Sequence, residues 1–86
     1  MENILNKINE SAEGSVILTG LDDAILGIVE EFGNEPRVLY SKEKIINILV
    51  EKEGMSESEA LEYYDFNILG MYVSDQNPVF LTTDFR

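Results

Sequence analysis

Two pairs of residues have the types and spacing that catalysis would need. Ser41 and Lys44 match the Ser-x-x-Lys pattern literally, and Glu59 and Glu62 lie three positions apart, as an acid and a base on one helix face would. Ser41 is better explained as a helix N-cap that is followed by an exposed lysine. Neither glutamate is predicted to be desolvated, which a general acid requires. We therefore expect no catalytic residues and no enzymatic activity.

Metal and cofactor chemistry has equally little support. The 86 residues contain no cysteine and no histidine, so the commonest general base and the usual zinc ligands are missing. The run Asp75-Gln76-Asn77 begins like a calcium-binding loop, but the glycine and the closing glutamate of such a loop are absent. No glycine-rich loop enters a helix to hold a phosphate. The sequence predicts no metal and no cofactor.

Tyrosines and one loop are the remaining candidates for function. Adjacent positions on a helix point about 100° apart, so Tyr63 and Tyr64 cannot both face the core. Exposed tyrosine is enriched in binding sites, although a half-buried tyrosine whose hydroxyl reaches water is the commoner case. The candidate protein-binding residues are Tyr63, Tyr64, Tyr72, Ser74, Asp75 and Asn77.

Charge is the extreme property of this sequence. Seventeen acids against six bases give a net charge of −11, spread along the chain. Such a surface repels phosphate backbones, so we expect no direct binding to nucleic acid. Solubility alone explains the charge, and the alternative is that carboxylates imitate a phosphate backbone and occupy the basic groove of a nucleic-acid-binding protein. That mimicry needs acids aligned on one face, such as Asp22, Asp23, Glu30, Glu31 and Glu35.

Length and hydropathy indicate one small globular unit. We expect a single domain over residues 1–86, with a thin core that homo-oligomerisation would reinforce. The longest apolar runs, 24–29 and 45–50, are far shorter than the roughly 20 residues that span a bilayer. No signal peptide is visible in MENILNK, so we expect a cytoplasmic protein that has no membrane partner.

Several elements follow from periodicity and capping. Ile4, Leu5 and Ile8 predict a short N-terminal helix over residues 3–11, and a second helix is predicted over 42–53 after Ser41. Residues 56–59 form a capping-box sequence that starts a third helix, paired with the second as a hairpin. We expect that helix to end at Phe66-Asn67. Strands are predicted over residues 68–73 and 79–82, around a loop at 74–78.

The segment 21–33 fits two structures. As a helix it aligns apolar residues on one stripe with Gly33 as the C-cap; as a strand, residues 24–29 form a buried run that turns into Val38-Leu39-Tyr40.

Several motifs of the chain resemble a family of small uncharacterised proteins of bacteria and their phages. The motifs are DAILG, VLYSKEKII, GMSESEA, FNILGMYV and PVF, and they cover about two-thirds of the chain. The resemblance implies that DAILG is a strand paired with the Val-Leu-Tyr run. It implies no activity and no catalytic residues, and the chain departs from the family pattern at Ser74-Asp75, after Val73. The expected fold is α+β: a β-hairpin, a helix–helix hairpin and a second β-hairpin, forming a small antiparallel sheet packed against two helices.

Together these observations favour a non-enzymatic interaction protein of phage or phage-derived origin. We expect it to bind a protein partner through its sheet edge or through the region of Tyr63, Tyr64 and Tyr72. The alternative is the acidic nucleic-acid mimic, which would inhibit a DNA- or RNA-binding protein.

Overall fold

The structure, a computed structural model, describes residues 4–83 of the chain. Helices pack with a small mixed sheet, and the expected α+β class is confirmed. The elements in chain order are α1 (Ile4–Ser11), a 3-10 turn (Asp22–Ala24), β1 (Ile25–Val29), β2 (Arg37–Ser41), α2 (Lys42–Glu51), α3 (Glu57–Tyr63), a π-helical segment (Tyr64–Leu69) and β3 (Val79–Leu81).

The first hairpin resolves the ambiguous segment in favour of a strand. β1 and β2 pair antiparallel with Ile28 opposite Val38, and a bulge interrupts the register between Ile25 and Gly27. Gly33 has a φ of 83° in the connecting turn, a left-handed conformation that favours glycine. This turn reverses the chain, and the helical alternative for 21–33 is wrong.

The starts of α2 and α3 match their sequence signals. The Ser41 hydroxyl accepts a hydrogen bond from the Lys44 N–H at 3.2 Å. At α3 the Ser56 hydroxyl accepts from the Glu59 N–H at 3.2 Å, and the Glu59 carboxylate accepts from the Ser56 N–H at 3.0 Å. The predicted capping box is therefore present, and each helix has orphan amide donors satisfied at its first turn.

The second predicted hairpin is wrong. Residues 64–69 continue the third helix as a π-helical segment where the sequence suggested a helix stop at Phe66-Asn67 and a strand from Ile68. The helix continues because every fourth side chain along it is buried: Ala60, Tyr64 and Ile68 are 0%, 2% and 7% exposed. These three side chains face the core together only if the backbone stays helical through Ile68. Residues 70–78 are irregular.

The expectation of a purely antiparallel sheet is also wrong. β3 pairs with β2 in parallel, with Leu39 opposite Val79 and Tyr40 opposite Phe80. Because α2, α3 and the π-helical segment lie between these strands, the chain has a helical crossover, which parallel pairing requires. Phe80 then lies against Tyr40 and Tyr64, with ring centroids 6.1 and 5.6 Å apart.

One core joins the sheet to the helices. Its most deeply buried large side chains are Tyr40, Tyr64, Ile45 and Val38. The segment between α1 and the 3-10 turn has no regular structure, but long-range hydrogen bonds hold it in place. Among them, the Val16 N–H donates to the Gln76 carbonyl at 3.2 Å, and the Leu18 N–H donates to the Tyr40 hydroxyl at 2.9 Å.

Candidate protein-binding surface

The three candidate tyrosines lie in different environments. Tyr64 is 2% exposed, its ring meets Phe80 edge-on, and the Lys42 ammonium lies 5.2 Å from its centroid. Burial, with Asp65 and Glu43 nearby, raises the pKa of Tyr64. Tyr63 is 42% exposed and Tyr72 is 74% exposed. Tyr64 is therefore a core residue, and only Tyr63 and Tyr72 are accessible to a partner.

The loop candidates mostly hold their own loop together. Asn77 Oδ1 accepts from the Val73 and Ser74 N–H groups at 2.9 and 3.1 Å. The Ser74 hydroxyl accepts from the Gln76 N–H at 3.1 Å. Side chains of this kind commonly replace backbone hydrogen bonds in turns. Ser74 and Asn77 thus have a structural role that accounts for their polarity.

Tyr72 and Asp75 form a surface pair above this loop. The Tyr72 hydroxyl donates to Asp75 Oδ1 at 2.9 Å. Because the carboxylate both accepts this bond and repels a phenolate, it raises the pKa of Tyr72.

The third helix carries a stripe of acids and aromatics on its outer face. Glu59, Glu62, Tyr63 and Phe66 occupy positions i, i+3, i+4 and i+7, and we call them the acidic–aromatic stripe. Phe66 is 76% exposed, although its ring is entirely hydrocarbon. An aromatic pair this open, flanked by carboxylates, is unusual for a face that only meets water.

Two concave surfaces adjoin this stripe. The first is open and shallow, with a volume of about 330 Å³, and is lined by Met55, Glu59, Glu62, Tyr63, Phe66 and Asn67. The second, of about 350 Å³, lies between α2, α3 and the segment 18–21. Both are lined in part by Met55, Tyr63 and Asn67, so Tyr63 stands where they meet. Two depressions that adjoin one aromatic ring could each accept one side chain from the same segment of a partner protein.

The acidic–aromatic stripe is negatively charged at neutral pH. The Ser56 N–H, which donates to the Glu59 carboxylate, and the neighbouring Ser56 side chain lower the pKa of Glu59 and so favour its ionised form. A cation of a partner would find both a carboxylate and the face of an aromatic ring here.

Phe66 is not among the binding residues predicted from sequence, because the sequence places the end of the helix at Phe66-Asn67. Its signal was available in the spacing: Glu59, Glu62, Tyr63 and Phe66 repeat at helical intervals outside the buried Ala60–Tyr64–Ile68 row. Once the helix extends past residue 66, the four residues share a face.

The proposed phosphate-mimicking acids are partly neutralised. The Arg37 guanidinium pairs with the Glu31 carboxylate, and the Lys52 ammonium lies 3.6 Å from Asp23 Oδ2. Asp22 and Asp23 flank one end of β1, whereas Glu30, Glu31 and Glu35 follow its other end. The five acids therefore fall into two groups at opposite ends of one strand.

Metal-binding clusters and membrane-spanning helices are absent from the described part of the chain. Between residues 4 and 83, no group of three or more acidic side chains lies close enough to hold a metal ion. No helix in that range has the length and apolar character needed to cross a membrane.

Comparison with known proteins gives no assignment. No protein-family model, no curated protein and no solved structure matches this chain. The resemblance to small bacterial and phage proteins therefore stays a prediction.

Proposed function

We propose that this chain is a non-enzymatic, cytoplasmic protein-interaction module, of phage or phage-derived origin, that binds a basic amphipathic helix of another protein. The observation that carries the proposal is the acidic–aromatic stripe: exposed Tyr63 and Phe66 lie one helical turn from Glu59 and Glu62. Aromatic anchors in a concave, partly apolar surface are the usual energetic centre of a protein interface.

The shape of the surface favours a helical partner. The two concave surfaces meet at Tyr63, and a partner helix presents apolar side chains at i and i+3 or i+4 from one face. One such side chain would fill the depression beside Phe66, and the next would fill the depression beside Leu49 and Ile68. The Tyr63 ring would then contact the partner helix at the centre of the interface.

The charge of the surface sets the sign of the partner. Glu59, Glu62 and Glu53 line the two depressions, and the whole chain carries a net charge of −11. Like-charge contacts at an interface are costly, so a partner with lysine or arginine beside its apolar residues is favoured over an acidic one. The same charge opposes a second copy of this chain as the occupant of the stripe.

A peptide titration tests this proposal. Three helical peptides of equal length would be compared by fluorescence anisotropy: one with a leucine–phenylalanine stripe flanked by lysines, one with the lysines replaced by glutamates, and one with the apolar stripe replaced by serines. We expect binding of the first alone. Amide chemical shifts should change at Glu59, Glu62, Tyr63 and Phe66.

Matched variants locate the contact. The double substitution Tyr63→Ser with Phe66→Ser should weaken binding at least about thirtyfold, since losing even one aromatic anchor of an interface costs on the order of 2 kcal/mol. Phe32→Ser is the control, because Phe32 is a fully exposed aromatic in the hairpin turn, at 106% exposure. Equal loss in both variants, or equal binding of the lysine and glutamate peptides, would contradict the proposal.

The acidic nucleic-acid mimic is the alternative function. It is supported by the net charge of −11, and it is weakened by the ion pairs at Asp23 and Glu31. Competition distinguishes the two functions: a mimic would displace DNA from a basic DNA-binding protein, and that displacement would survive Tyr63→Ser with Phe66→Ser but fail in Asp22→Asn with Glu30→Gln.

A further inference from the structure

The outer edge of β1 is unpaired within the described residues. The strand order is β1-β2-β3, so β1 has a hydrogen-bonded neighbour on one side only. Among the backbone hydrogen bonds between residues 4 and 83, the Ile25 N–H donates to the Asp22 carbonyl, and residues 26–29 take part in none outside the pairing with β2. Alternate N–H and C=O groups of this strand therefore face outward, ready to pair with an added strand.

The two edges of the sheet differ in their protection. β3 has three residues, and just beyond it the Thr83 N–H and hydroxyl donate to the Glu43 carboxylate at 3.1 and 2.8 Å. β1 has five residues, ILGIV, with neither the lysine nor the proline that commonly blocks an edge. Its bulge exposes Leu26 to 45% and leaves Gly27–Val29 in regular register.

Negative charge brackets this strand. Asp22 and Asp23 precede it and Glu30 and Glu31 follow it, and all four are exposed. The Lys52 and Arg37 side chains offset Asp23 and Glu31. Asp22 and Glu30 have no ion-pair partner among the described residues.

This charge pattern argues against a second copy of the chain at the same edge. Antiparallel self-pairing centred on Gly27 would set Asp23 opposite Glu31 and Ala24 opposite Glu30, while parallel self-pairing would set each acid beside its own equivalent. Either arrangement places like charges at both ends of the added strand, and like charges directly opposite one another are destabilising.

We propose that the β1 edge binds an extended segment of a different protein, apolar in its middle and carrying lysine or arginine at both ends, by strand addition. Main-chain hydrogen bonds to residues 25–29 would give the affinity, and the acids on either side would select the flanking cations. This contact specifies a second site for the protein-interaction function proposed above, and it does not include the acidic–aromatic stripe.

The test uses the full chain and synthetic strand peptides. The probe is KKVTVTVKK, with EEVTVTVEE as its charge-reversed counterpart and KKVTPTVKK as a counterpart whose proline removes a ladder hydrogen bond. We expect binding of the first peptide alone by fluorescence anisotropy, with slower hydrogen exchange confined to the amides of residues 25–29. Binding should weaken as salt rises, since the flanking charges are exposed.

Reversing two charges beside β1 tests the charge requirement at exposed positions that lie outside the core. The exposed pair Asp22→Lys with Glu30→Lys should weaken KKVTVTVKK binding roughly tenfold or more and give EEVTVTVEE measurable affinity. Tyr63→Ser with Phe66→Ser should leave the binding of KKVTVTVKK unchanged, so failure of the stripe and failure of the edge are separate results.

Four results would overturn the proposal. They are equal binding of the lysine and glutamate peptides, protection from exchange elsewhere than residues 25–29, self-association that protects β1 without peptide, and no binding of KKVTVTVKK up to about 1 mM, the weakest affinity of interest.

Discussion

Replacing Ile68 by alanine tests the helical path of residues 64–69 directly. Ile68 is 7% exposed and packs in the core, whereas its neighbour Leu69 is 53% exposed. Each substitution removes three carbon atoms. In the observed structure only the first leaves a cavity.

The expected magnitudes differ by a factor of three. Losing three buried carbons at about 0.8 kcal/mol each, with a contribution from the cavity, gives a cost of about 3 kcal/mol for Ile68→Ala. Leu69→Ala loses about half of that transfer energy and leaves no enclosed space, for a cost of about 1 kcal/mol. A chain of 86 residues has a free energy of unfolding of roughly 4–13 kcal/mol, so the first change removes a large fraction of it.

Urea denaturation followed by circular dichroism measures both costs. With a slope near 1 kcal/mol per molar urea, the midpoint should fall by about 3 M for Ile68→Ala and by about 1 M for Leu69→Ala. If Ile68→Ala is unfolded in buffer, the milder substitution Ile68→Val can be measured instead. Its expected cost in free energy of unfolding is about 0.5–1.5 kcal/mol. A loss at Leu69 equal to or larger than that at Ile68 would refute the helical register.

Three further predictions concern contacts away from this segment. Tyr40→Phe should cost about 1–3 kcal/mol in urea denaturation, because the partly buried Leu18 N–H loses its acceptor. Gln76→Ala should cost about 1–2 kcal/mol and speed exchange of the Val16 amide, because the Gln76 side chain donates to two carbonyls of other segments, those of Glu13 and Pro36. Burial raises the pKa of Tyr40 above 10.0, so the folded state keeps the phenolic proton at a pH where the unfolded chain has released it. The contribution of this proton to the free energy of unfolding is complete below about pH 10 and is lost as pH rises through the raised pKa. Urea denaturation at alkaline pH should show a smaller loss of stability for Tyr40→Phe than for the unsubstituted protein.

Local signals in the sequence were sufficient for most of the element starts. The Ser56–Glu59 capping box, the Ser41 N-cap and the N-terminal helix depend on contacts between residues one turn apart, and such contacts can be read from spacing. The choice of a strand for residues 25–29 needed the resemblance as well, because an apolar run of this length fits a buried helix equally.

Contacts distant in sequence decided what the local patterns left open. The run Ile68–Val73 has the composition of a strand, but burying Ile68 beside Tyr64 keeps residues 68 and 69 helical, and residues 70–73 form no strand. Local propensity yields here to packing in the core. The same helix carries the chain across the sheet, so β3 meets β2 in parallel instead of folding back as a hairpin.

The same distinction between local and distant contacts applies to the candidate binding residues. The sequence by itself determined that no cysteine or histidine chemistry is available, that the surface is strongly acidic, and that only one of Tyr63 and Tyr64 faces the core. Only the tertiary structure decided that Tyr64 is the buried one, that Ser74 and Asn77 are engaged within their loop, and that Phe66 joins Tyr63 on an open face. The physical reason is that composition and charge belong to the chain, whereas exposure depends on which distant residues it packs against.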